Sequence, residues 1–573
     1  MADTKREIER KYQAAAGDEL PDLTGVDGVS AVIDQGVADL DATYYDTPDQ
    51  RLSASSVTLR RRTGGDDAGW HLKLPVSDDV RDEIHAPLSD TIPPYLSGLV
   101  RSRVRDADLV PVVRLRSARD IRHLVDAHGA LLAEVSLDRV RAERLSGGTG
   151  TTEWTEIEVE LADDGDPAFL DKVEKKLRKA GLSRSSAPSK LAKALEETGT
   201  GTRGTGTGPD RATAGRRGKP AAAGAGSGTE FAEAGAGRPT KSAVGGGGKR
   251  TRQDGAVAEK RTGPAGADSQ RRPRPASADR GQPPVTAGDH VLSYVRAQRD
   301  AIVELDPAVR RDVPDSVHSM RVATRRLRST FRSFGKVLDR RVTDPVADEL
   351  KWLAGELGID RDREVLTERL MNAVSELSPS LLSGPVRNRL RTWSNMRHEG
   401  ARDQLIAVLD SERYLRLLET LDALIADPPL RKSAAGKPSK VLAKAVRRDF
   451  RKVADLVGQA LDLPSGHDRD VAMHEARKKT KRTRYAAEAA APALGKPARR
   501  LVKAMKSLQT LLGDHQDSVM AREALLELSA QSYAARENTF TYGVLYGREE
   551  QRAAAAEAAL PQVWPAVRKK ARV

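Results

Sequence analysis

Two rhythms of hydrophobic and polar positions divide this chain into an amino-terminal and a carboxyl-terminal part. Up to about residue 197, apolar and charged residues alternate with period two in runs such as 59–62, 70–74, 112–116 and 132–138. Turn-forming residues separate these runs, so the pattern predicts antiparallel strands. The charged positions form one regular face, acidic in the first and last strands and basic between them. A polar lumen inside a closed barrel explains such a face better than a row of solvated edges.

From about residue 289 to residue 573, apolar positions recur with the 3.6-residue period of helices. Segments 344–357, 387–408, 412–425 and 497–512 are separated by short stretches rich in Pro or Gly, which predicts helices throughout. Gly358 and Gly513 lie where a glycine would end a helix. The predicted fold class is therefore α+β, with an antiparallel β tunnel followed by an all-α helical bundle.

Residues 198–288 join the two parts and have the composition of a linker. Gly, Ala, Thr, Pro and Ser dominate, and sixteen Lys or Arg against seven Asp or Glu give this segment +9 of the chain's net charge of +14. So few large apolar side chains cannot bury enough surface to order the segment. We therefore predict domains at 1–197 and 289–573, joined by a disordered basic linker at 198–288.

The helical part contains two sequences that each occur twice. His318-x-x-Arg321-x-x-x-Arg325-Arg326-x-Arg328 returns 156 positions later as His474-x-x-Arg477-x-x-x-Lys481-Arg482-x-Arg484. Lys351-x-Leu353-x-x-x-Leu357-Gly358-x-x-x-Asp362 returns 155 positions later as Lys506-x-Leu508-x-x-x-Leu512-Gly513-x-x-x-Asp517. The nearly constant offset indicates an internal duplication rather than a chance basic cluster.

Helical geometry places the basic residues of each copy in one stripe. At about 100° per residue, the basic positions of the first copy fall within an arc of about 80°, and the second copy repeats these angles. Guanidinium groups bind phosphate oxygens in pairs and stay charged, and a long polyanion releases counterions on binding. We therefore predict a groove that binds polyphosphate. Its residues are His318, Arg321, Arg325, Arg328, His474, Arg477, Lys478, Lys481 and Arg484.

Each basic stripe also has a simpler interpretation. A single stripe is usually a solvated helix face, and the duplication is what favours a binding surface here. The two histidines could be metal ligands, although no second ligand residue lies three or four positions from either one. Nucleic acid is a less favoured partner of the same surface. Asp362 and Asp517 are either helix caps or groups that orient the basic side chains or hold a cation.

Composition narrows the cellular setting. The chain contains no cysteine, which excludes disulfides and thiolate zinc sites. No apolar run approaches the roughly 20 residues that span a bilayer, and residues 1–12 are charged throughout instead of forming a signal core. We therefore expect a cytoplasmic protein without a membrane partner, and the oligomeric state is left open.

The charged face of the predicted tunnel is itself a candidate site. Clustered carboxylates repel one another unless a hard cation such as Mg²⁺ or Mn²⁺ neutralises them. The acidic candidates are Glu7, Glu9, Glu156, Glu158 and Glu160. The cations that could hold phosphate oxygens are Lys11, Arg60, Arg62, Lys73, Arg81, Arg114 and Arg116. A bound metal beside fixed cations lowers the barrier to phosphoryl transfer, so we predict metal-assisted cleavage of a polyphosphate chain.

The sequence also resembles two known families. Glu7-Ile8-Glu9-Arg10-Lys11 matches the ExExK signature of the CYTH family, the triphosphate tunnel metalloenzymes, at the amino terminus where that family carries it. Further segments follow in family order, at 44–47, 59–62, 70–74, 81–83, 138–140, 156–161 and 189–190. The duplicated helical part resembles the CHAD domain, a polyphosphate-binding helical module that frequently follows CYTH in bacterial proteins.

The CYTH resemblance implies an eight-stranded antiparallel tunnel and roles for particular residues. Metal would be held by Glu7, Glu9, Asp138, Glu156, Glu158 and Glu160, although the sequence does not say which two of the last three bind it. Triphosphate would be held by Lys11, Arg60, Arg62, Lys73, Arg116 and Lys190, with Arg81 and Glu83 in the lumen wall. Glu7, Glu9 and Lys11 are the catalytic candidates. Alternation places Arg119 on the opposite face from Arg116 unless a bulge intervenes.

The resemblance leaves the substrate open among inorganic triphosphate, thiamine triphosphate and the ATP of a class IV-type adenylyl cyclase. The attached CHAD-like part favours an inorganic triphosphatase that uses Mg²⁺ or Mn²⁺ and is recruited to polyphosphate, with polyphosphate granules as a further expected location. A polyphosphate-binding scaffold without enzyme activity is the alternative from another class. Five carboxylates in the tunnel argue against it, since they would hinder the binding of an anion alone.

Overall fold

The computed structural model describes residues 3–199, 284–358, 361–395 and 400–571. Nine strands lie in the amino-terminal part: β1 Asp3–Ala14, β2 Ala31–Asp46, β3 Thr58–Thr63, β4 Gly69–Ser77, β5 Val80–Ala86, β6 Val110–Val125, β7 Leu131–Arg144, β8 Thr151–Leu161 and β9 Ser183–Arg184. The order β5-β4-β3-β2-β6-β7-β8-β1 is closed by pairing of β1 with β5, and β9 adds to β1. Each pairing is antiparallel. The predicted eight-stranded antiparallel tunnel is confirmed.

Helices on the outside of the barrel determine which strand face points inward. The barrel part contains helices α1 Arg51–Ala54, α2 Pro94–Val104, α3 Ala168–Lys179 and α4 Lys190–Gly199. Helix α3 buries Val173 and Leu177 in one cluster with Ile157 of β8, and α2 buries Leu99 in another with Trp70 of β4. Burying a large apolar side chain stabilises the fold by about 1.5–3 kcal/mol. The apolar strand face therefore lies beneath the helices, and alternation turns the charged face toward the lumen.

Helix α4 packs against the lumenal side of the sheet. Its Leu191 and Ala194 join a buried cluster with Ala42 of β2, Leu115 of β6 and Ala142 of β7. This packing brings the first residue of the helix, Lys190, to the acidic side chains inside the barrel.

The carboxyl-terminal part is helical. Its α-helices are α5 Ala287–Arg310, α6 Ser316–Ser333, α7 Arg340–Glu356, α8 Arg361–Ser375, α9 Val386–Asn395, α10 Ala401–Asp410, α11 Glu412–Ala426, α12 Pro438–Asp462, α13 His467–Leu494, α14 Lys496–Ala534 and α15 Phe540–Lys570. One extended core joins α5, α6, α7 and α10–α15, and a smaller core lies among α8, α9, α14 and α15. The duplicated basic sequences lie on α6 and α13. The α+β class is confirmed.

Two predicted helix boundaries are wrong. The predicted helix 387–408 is two helices, because α10 starts after Gly400, whose φ of +89° is a left-handed conformation that breaks a helix. Gly513 does not end a helix either, and both it and Asp517 lie inside α14. In contrast, Gly358 does follow the end of α7. A C-cap glycine and a glycine that permits a close side-chain approach look alike in sequence.

Residues 200–283, most of the linker predicted at 198–288, lie outside the described residues; α4 ends at Gly199 and α5 starts at Ala287. None of the helices in the described ranges is long and apolar enough to cross a bilayer.

The barrel and the helical bundle belong to one compact unit, although each has its own cores. Arg105, just after α2, lies 2.9 Å from Asp422 of α11. Arg311, just after α5, lies 2.8 Å from Asp82 of β5, and both of these side chains are nearly buried. The contact surface therefore contains cross-domain ion pairs.

Candidate active site and polyanion groove

Strand register brings the acidic residues of β1 and β8 onto one face. Glu9 pairs with Glu160, Lys11 with Glu158 and Gln13 with Glu156, and residues directly opposite each other on antiparallel strands share a face. Glu7 and Glu9 are 4% and 7% exposed, which shows that this face is the lumen and not the outer surface. The predicted inward direction of the amino-terminal acids is therefore observed.

A first acidic cluster is formed by Asp138 of β7 with Glu156 and Glu158 of β8. One carboxylate oxygen from each residue lies within 4.8 Å of those from the other two, and the three residues are buried. Lys190 Nζ lies 2.9 Å from Asp138, 2.7 Å from Glu156 and 2.7 Å from Glu158. Arg119 donates two 2.7 Å hydrogen bonds to Asp138 and a third of 2.7 Å to Glu158. Two cations therefore contact this cluster of three buried carboxylates.

The ionisation of this cluster depends on those cations. Burial opposes the charged form of Asp138, yet Arg119 and Lys190 hold the pKa of its carboxyl below the ordinary value. Burial also opposes the charged form of Glu158, whose pKa is nevertheless held well below its ordinary value by Lys11, Lys190 and Arg119. Asp138 and Glu158 are therefore anionic at neutral pH and suited to a divalent cation.

A second acidic cluster lies on β1 and β5. Glu7 accepts a 2.6 Å hydrogen bond from Lys73, and Glu9 accepts one of 3.0 Å from Lys11. Burial raises the pKa of Glu7 to about 8, with Lys73 acting in the opposite direction. Lys11 also contacts Glu158, so it joins the two acidic clusters. Glu160 is less buried than the other acids and pairs with Lys5 at 2.8 Å.

The opposite wall of the lumen is basic. Arg60 lies 3.3 Å from the Tyr44 hydroxyl and 3.6 Å from Glu83, and Arg62 contacts Asp67. Burial, together with repulsion from Arg60 and Arg119, lowers the pKa of Arg62 to about 9. A guanidinium whose pKa is depressed by neighbouring cations is stabilised by an arriving anion. This wall is therefore suited to binding a phosphate group.

The remaining predicted lumen residues are also found there. Arg81 lies 3.7 Å from Glu9 and donates a 2.8 Å hydrogen bond to the Pro188 carbonyl. Lys73 reaches Glu83 at 3.8 Å as well as Glu7. His71, which the charge pattern does not single out, lies 2.9 Å from Glu83. Burial lowers the pKa of His71 to about 4, so this imidazole is neutral at physiological pH.

Arg114 and Arg116 require a correction, because the structure does not place them in the tunnel. Both pair with Asp41 on the outer face, at 2.5 Å and 3.5 Å, and Arg116 is more than half exposed. Arg119 lies inside instead, as simple alternation along β6 requires, because no bulge separates it from Arg116. Tyr44 is a further lumen residue that the charge pattern does not reveal. It lies two positions from Ala42 on β2 and opposite Arg60 of β3, and this period-two spacing is the signal that could have located it.

The residues present in the tunnel fit a divalent cation. Three buried carboxylates close enough to share one ion form the kind of oxygen donor set that Mg²⁺ and Mn²⁺ prefer. Asp138, Glu156 and Glu158 would hold the ion. Glu160 lies farther toward the solvent, so the structure favours Glu156 and Glu158 among the three candidates of β8.

The basic stripes of α6 and α13 face each other in the helical bundle. Arg325 and Arg321 of α6 are close enough to Lys481 of α13 to affect its ionisation. Burial, reinforced by Arg477, Arg325 and Arg321, lowers the pKa of Lys481 to about 7. Cations from both copies thus converge on one groove, and around Lys481 their repulsion outweighs the attraction of Asp517.

The two copies also position their arginines in the same way. The Arg321 guanidinium packs over Gly358, and the Arg477 guanidinium packs over Gly513. Arg477 also lies 3.7 Å from Asp517, and the His474 imidazole contacts Gln516. The spacing that both copies share therefore places a glycine under an arginine in each. The side chain of Asp362 lies outside the described residues.

The rest of the predicted groove residues are less central. Lys478 is exposed and contacts Glu475 of its own helix. Arg484 lies 3.5 Å from Glu488 and over the Tyr485 ring. Arg328 has its pKa lowered by burial and by the adjacent Arg332, and His318 is exposed at the start of α6. Arg321, Arg325, Arg477 and Lys481 form the centre of the groove.

Two family models match this chain. The CYTH domain model matches residues 5–195 and the CHAD domain model matches residues 293–526. An uncharacterized Mycobacterium tuberculosis protein, Rv2226, is 34% identical over 98% of this chain and 97% of its own length. Among solved structures, PptA from Streptomyces chartreusis is 23% identical with a TM-score of 0.42, covering 49% of this chain and 100% of its own. The CHAD domain from the plant Ricinus communis is also 23% identical, with a TM-score of 0.39, covering 50% of this chain and 92% of its own.

Members of the CYTH family act on triphosphates in a metal-dependent tunnel, and the lumen described above has that form. The chain therefore belongs to the CYTH–CHAD family, with a triphosphate tunnel metalloenzyme domain followed by a CHAD domain.

Proposed function

We propose that this protein is a divalent-metal-dependent hydrolase of inorganic triphosphate whose CHAD domain binds inorganic polyphosphate. The observation that carries the proposal is the arrangement of the lumen, where a cluster of three buried carboxylates faces a wall of buried cations. Carboxylates of this kind attract a divalent ion, and the cations attract a phosphoanion to the same place. Both are needed for phosphoanhydride cleavage.

The acidic residues have distinct proposed roles. Asp138, Glu156 and Glu158 hold Mg²⁺ or Mn²⁺, and a bound ion supplies charge neutralisation and polarisation of a phosphoryl group. Glu7 and Glu9 complete the carboxylate set, since Lys11 links Glu9 to Glu158 across one strand pairing. Glu160 extends this face toward solvent and is the least favoured ligand.

The cationic residues bind and orient the phosphate chain. Arg60, Arg62 and Lys73 lie along β3 and β4, whereas Arg119 and Lys190 reach the acidic cluster directly. Fixed charges aimed at the site where negative charge develops stabilise the transition state without reorganising. Arg62 contributes most to capture in this proposal, because a bound anion removes the repulsion that it experiences from Arg60 and Arg119.

The helical groove supports inorganic substrates over nucleotides. Its central cations, Arg321, Arg325, Arg477 and Lys481, come from two copies and extend along two helices, which suits a repeating phosphate better than a single small ligand. A polyphosphate binder in the same compact unit as the tunnel makes inorganic triphosphate the natural substrate. Polyphosphate in the cytoplasm, including granules, is the proposed location of the protein.

The proposal is tested by a substrate panel with purified protein and Mg²⁺. Tripolyphosphate, thiamine triphosphate and ATP are compared by phosphate release, and cyclic AMP is measured with ATP. We expect tripolyphosphate to give the highest kcat/KM. Cyclic AMP as the main product would instead assign an adenylyl cyclase, and preference for thiamine triphosphate would assign a thiamine triphosphatase.

Variants separate catalysis from polyanion capture. Glu7→Gln combined with Glu9→Gln should abolish turnover while polyphosphate capture by the groove stays unchanged. Glu153→Gln is the matched control, because Glu153 lies on β8 but is exposed and pairs with Arg141. Unchanged turnover in the double variant would contradict the catalytic assignment. Capture without any turnover in the wild-type protein would instead favour the scaffold alternative, and a preference for DNA over polyphosphate at equal salt would contradict the groove assignment.

A further inference from the structure

A second group of potential metal ligands lies in the CHAD domain, away from both the tunnel and the centre of the groove. Asp470 of α13, His515 of α14 and Glu557 of α15 place one ligand atom each within 4.8 Å of the others. His515 Nε2 lies 3.1 Å from Asp470 Oδ1 and 3.5 Å from Glu557 Oε1. Atoms bound at about 2.1 Å to one ion are separated by about 3.0–3.4 Å at octahedral or tetrahedral angles. The two distances from His515 Nε2 are close to those expected for a shared ion.

The histidine itself points to a ligand. His515 is fully buried, and neither of its ring nitrogens makes a hydrogen bond within the described residues. A buried imidazole without a hydrogen bond is costly, because it has lost water without gaining a partner. Its Nε2 lies at ion-pair distances from two carboxylate oxygens. A metal ion bound at Nε2 would remove that cost for this nitrogen.

The two carboxylates are already oriented by other groups through their outer oxygens. Asp470 Oδ2 accepts a 3.3 Å hydrogen bond from Arg522, and Glu557 Oε2 accepts one of 2.6 Å from Ser465. Arg469 also lies 3.4 Å from Glu557 Oε2. The inner oxygens, Asp470 Oδ1 and Glu557 Oε1, are the ones that lie close to His515 Nε2. Metal-ligating carboxylates in proteins are held by such outer hydrogen bonds.

We propose that Asp470, His515 and Glu557 bind one divalent transition-metal ion that joins helices α13, α14 and α15. One imidazole with two carboxylates suits ions of the Mn²⁺ to Zn²⁺ series, with Zn²⁺ binding more tightly than Mn²⁺. The site is confined to the second copy, because the repeat offsets place Pro314 and Asp360 at the positions of Asp470 and His515.

The site has a structural consequence for the groove. Asp470 lies one helical turn before His474, and His515 precedes Gln516, which contacts the His474 imidazole. An ion that fixes α13 against α14 therefore fixes the register in which Arg477 packs over Gly513. The inference does not depend on the activity of the tunnel, so it stands if the triphosphatase assignment fails.

The test uses the untagged full-length protein, stripped with a chelator and returned to millimolar Mg²⁺ so that the tunnel carboxylates are occupied. Zn²⁺ is then titrated calorimetrically, and Co²⁺ is titrated in parallel with its visible absorption as a report of imidazole ligation. We expect one tightly bound equivalent and a rise in melting temperature. Absence of a tight equivalent in the wild-type protein would overturn the proposal without reference to any variant.

Variants then locate the ion. His515→Gln should lose the tight equivalent, the Co²⁺ absorption and the metal-dependent gain in melting temperature. His467→Gln, at the exposed start of α13, is the matched control and should retain all three. Asp470→Asn, at a partly exposed position, provides a second variant if His515→Gln does not fold. An equivalent that persists in folded His515→Gln or Asp470→Asn protein would show that His515 only pairs with the two carboxylates, which overturns the proposal.

Discussion

Lys481 should make the proposed polyphosphate binding dependent on pH in a range where arginines do not titrate. Its pKa is lowered to about 7 in the folded protein by burial and by Arg477, Arg325 and Arg321. A bound polyanion reverses the effect of these neighbours and raises the pKa again. Binding therefore takes up a proton, and affinity must fall as pH rises above 7.

The magnitude follows from the depressed pKa. About half of the free protein carries a charged Lys481 at pH 7, about one-tenth at pH 8 and about 1% at pH 9. If the bound lysine stays charged over this range, affinity for a long polyphosphate falls about 50-fold between pH 7 and pH 9, which is roughly 2.3 kcal/mol. Stability changes in the opposite direction. The unfolded lysine retains its proton up to about its ordinary pKa of 10.5, so the free energy of unfolding rises with pH in this window.

Calorimetry of polyphosphate binding in buffers of different ionisation enthalpy measures both the affinity and the proton uptake. The measurements run from pH 7.5 to pH 9.5, above the depressed pKa of Lys481. Lys481→Arg provides a charge that does not titrate, and Lys481→Gln removes it; both variants should bind with little pH dependence. A wild-type affinity that is flat from pH 7.5 to pH 9.5, with no proton uptake, would refute the reasoning about convergent stripes.

Three further predictions concern single side chains. Lys190→Met removes a cation that contacts three buried carboxylates, so the metal-free protein should lose roughly 3–5 kcal/mol of stability, and thermal melts should show a larger gain with Mg²⁺ than in the wild type. Arg119→Met should lower kcat/KM for tripolyphosphate by about 100-fold, whereas Arg116→Met on the outer face should leave it within about twofold in phosphate-release assays. Gly358→Ala places a Cβ 2.6 Å from the Arg321 guanidinium and should weaken polyphosphate capture, whereas Gly513→Ala, whose Cβ lies 3.5 Å from Arg477, should not.

Each of these predictions has an outcome that contradicts it. Equal responses of wild-type and Lys190→Met protein to Mg²⁺ would show that the carboxylate cluster does not take up the ion. Equal losses in the Arg119 and Arg116 variants would contradict the assignment of the inner and outer faces of β6. Equal capture by the Gly358 and Gly513 variants would show that the position of Arg321 does not govern binding.

Period-two alternation was sufficient to predict the lumen for most strands. It placed Lys11, Arg60, Arg62 and Lys73 correctly, because each of these strands keeps a strict inner and outer face. It was also the reason to doubt that Arg116 and Arg119 share a face. The assignment of Arg114 and Arg116 to the tunnel failed because both lie on the outer face of β6, opposite to the face that carries Arg119. Asp41 pairs with both of them on that outer face.

The contacts of Lys190 could not be predicted from local pattern. This residue lies on a helix after the eight strands that close the barrel, and the packing of Leu191 and Ala194 inside the sheet is what brings it to Asp138. The group formed by Asp470, His515 and Glu557 could not be predicted from the sequence either, because neighbouring members are more than 40 residues apart along the chain. Long helices give a periodic signal for burial, but which helices meet is decided by tertiary packing.

The cross-domain ion pair between Arg311 and Asp82 bears on the distance between the tunnel and the groove. Asp82 faces outward from β5, while its neighbours Arg81 and Glu83 on the same strand face the lumen. Arg311 lies five residues before the first helical residue of α6, whose stripe forms half of the groove. Without an interface, the length of the connecting segment would set how often groove and tunnel meet. Because a nearly buried ion pair joins β5 to the segment that precedes α6, the interface, and not the length of the linker, fixes the distance between tunnel and groove.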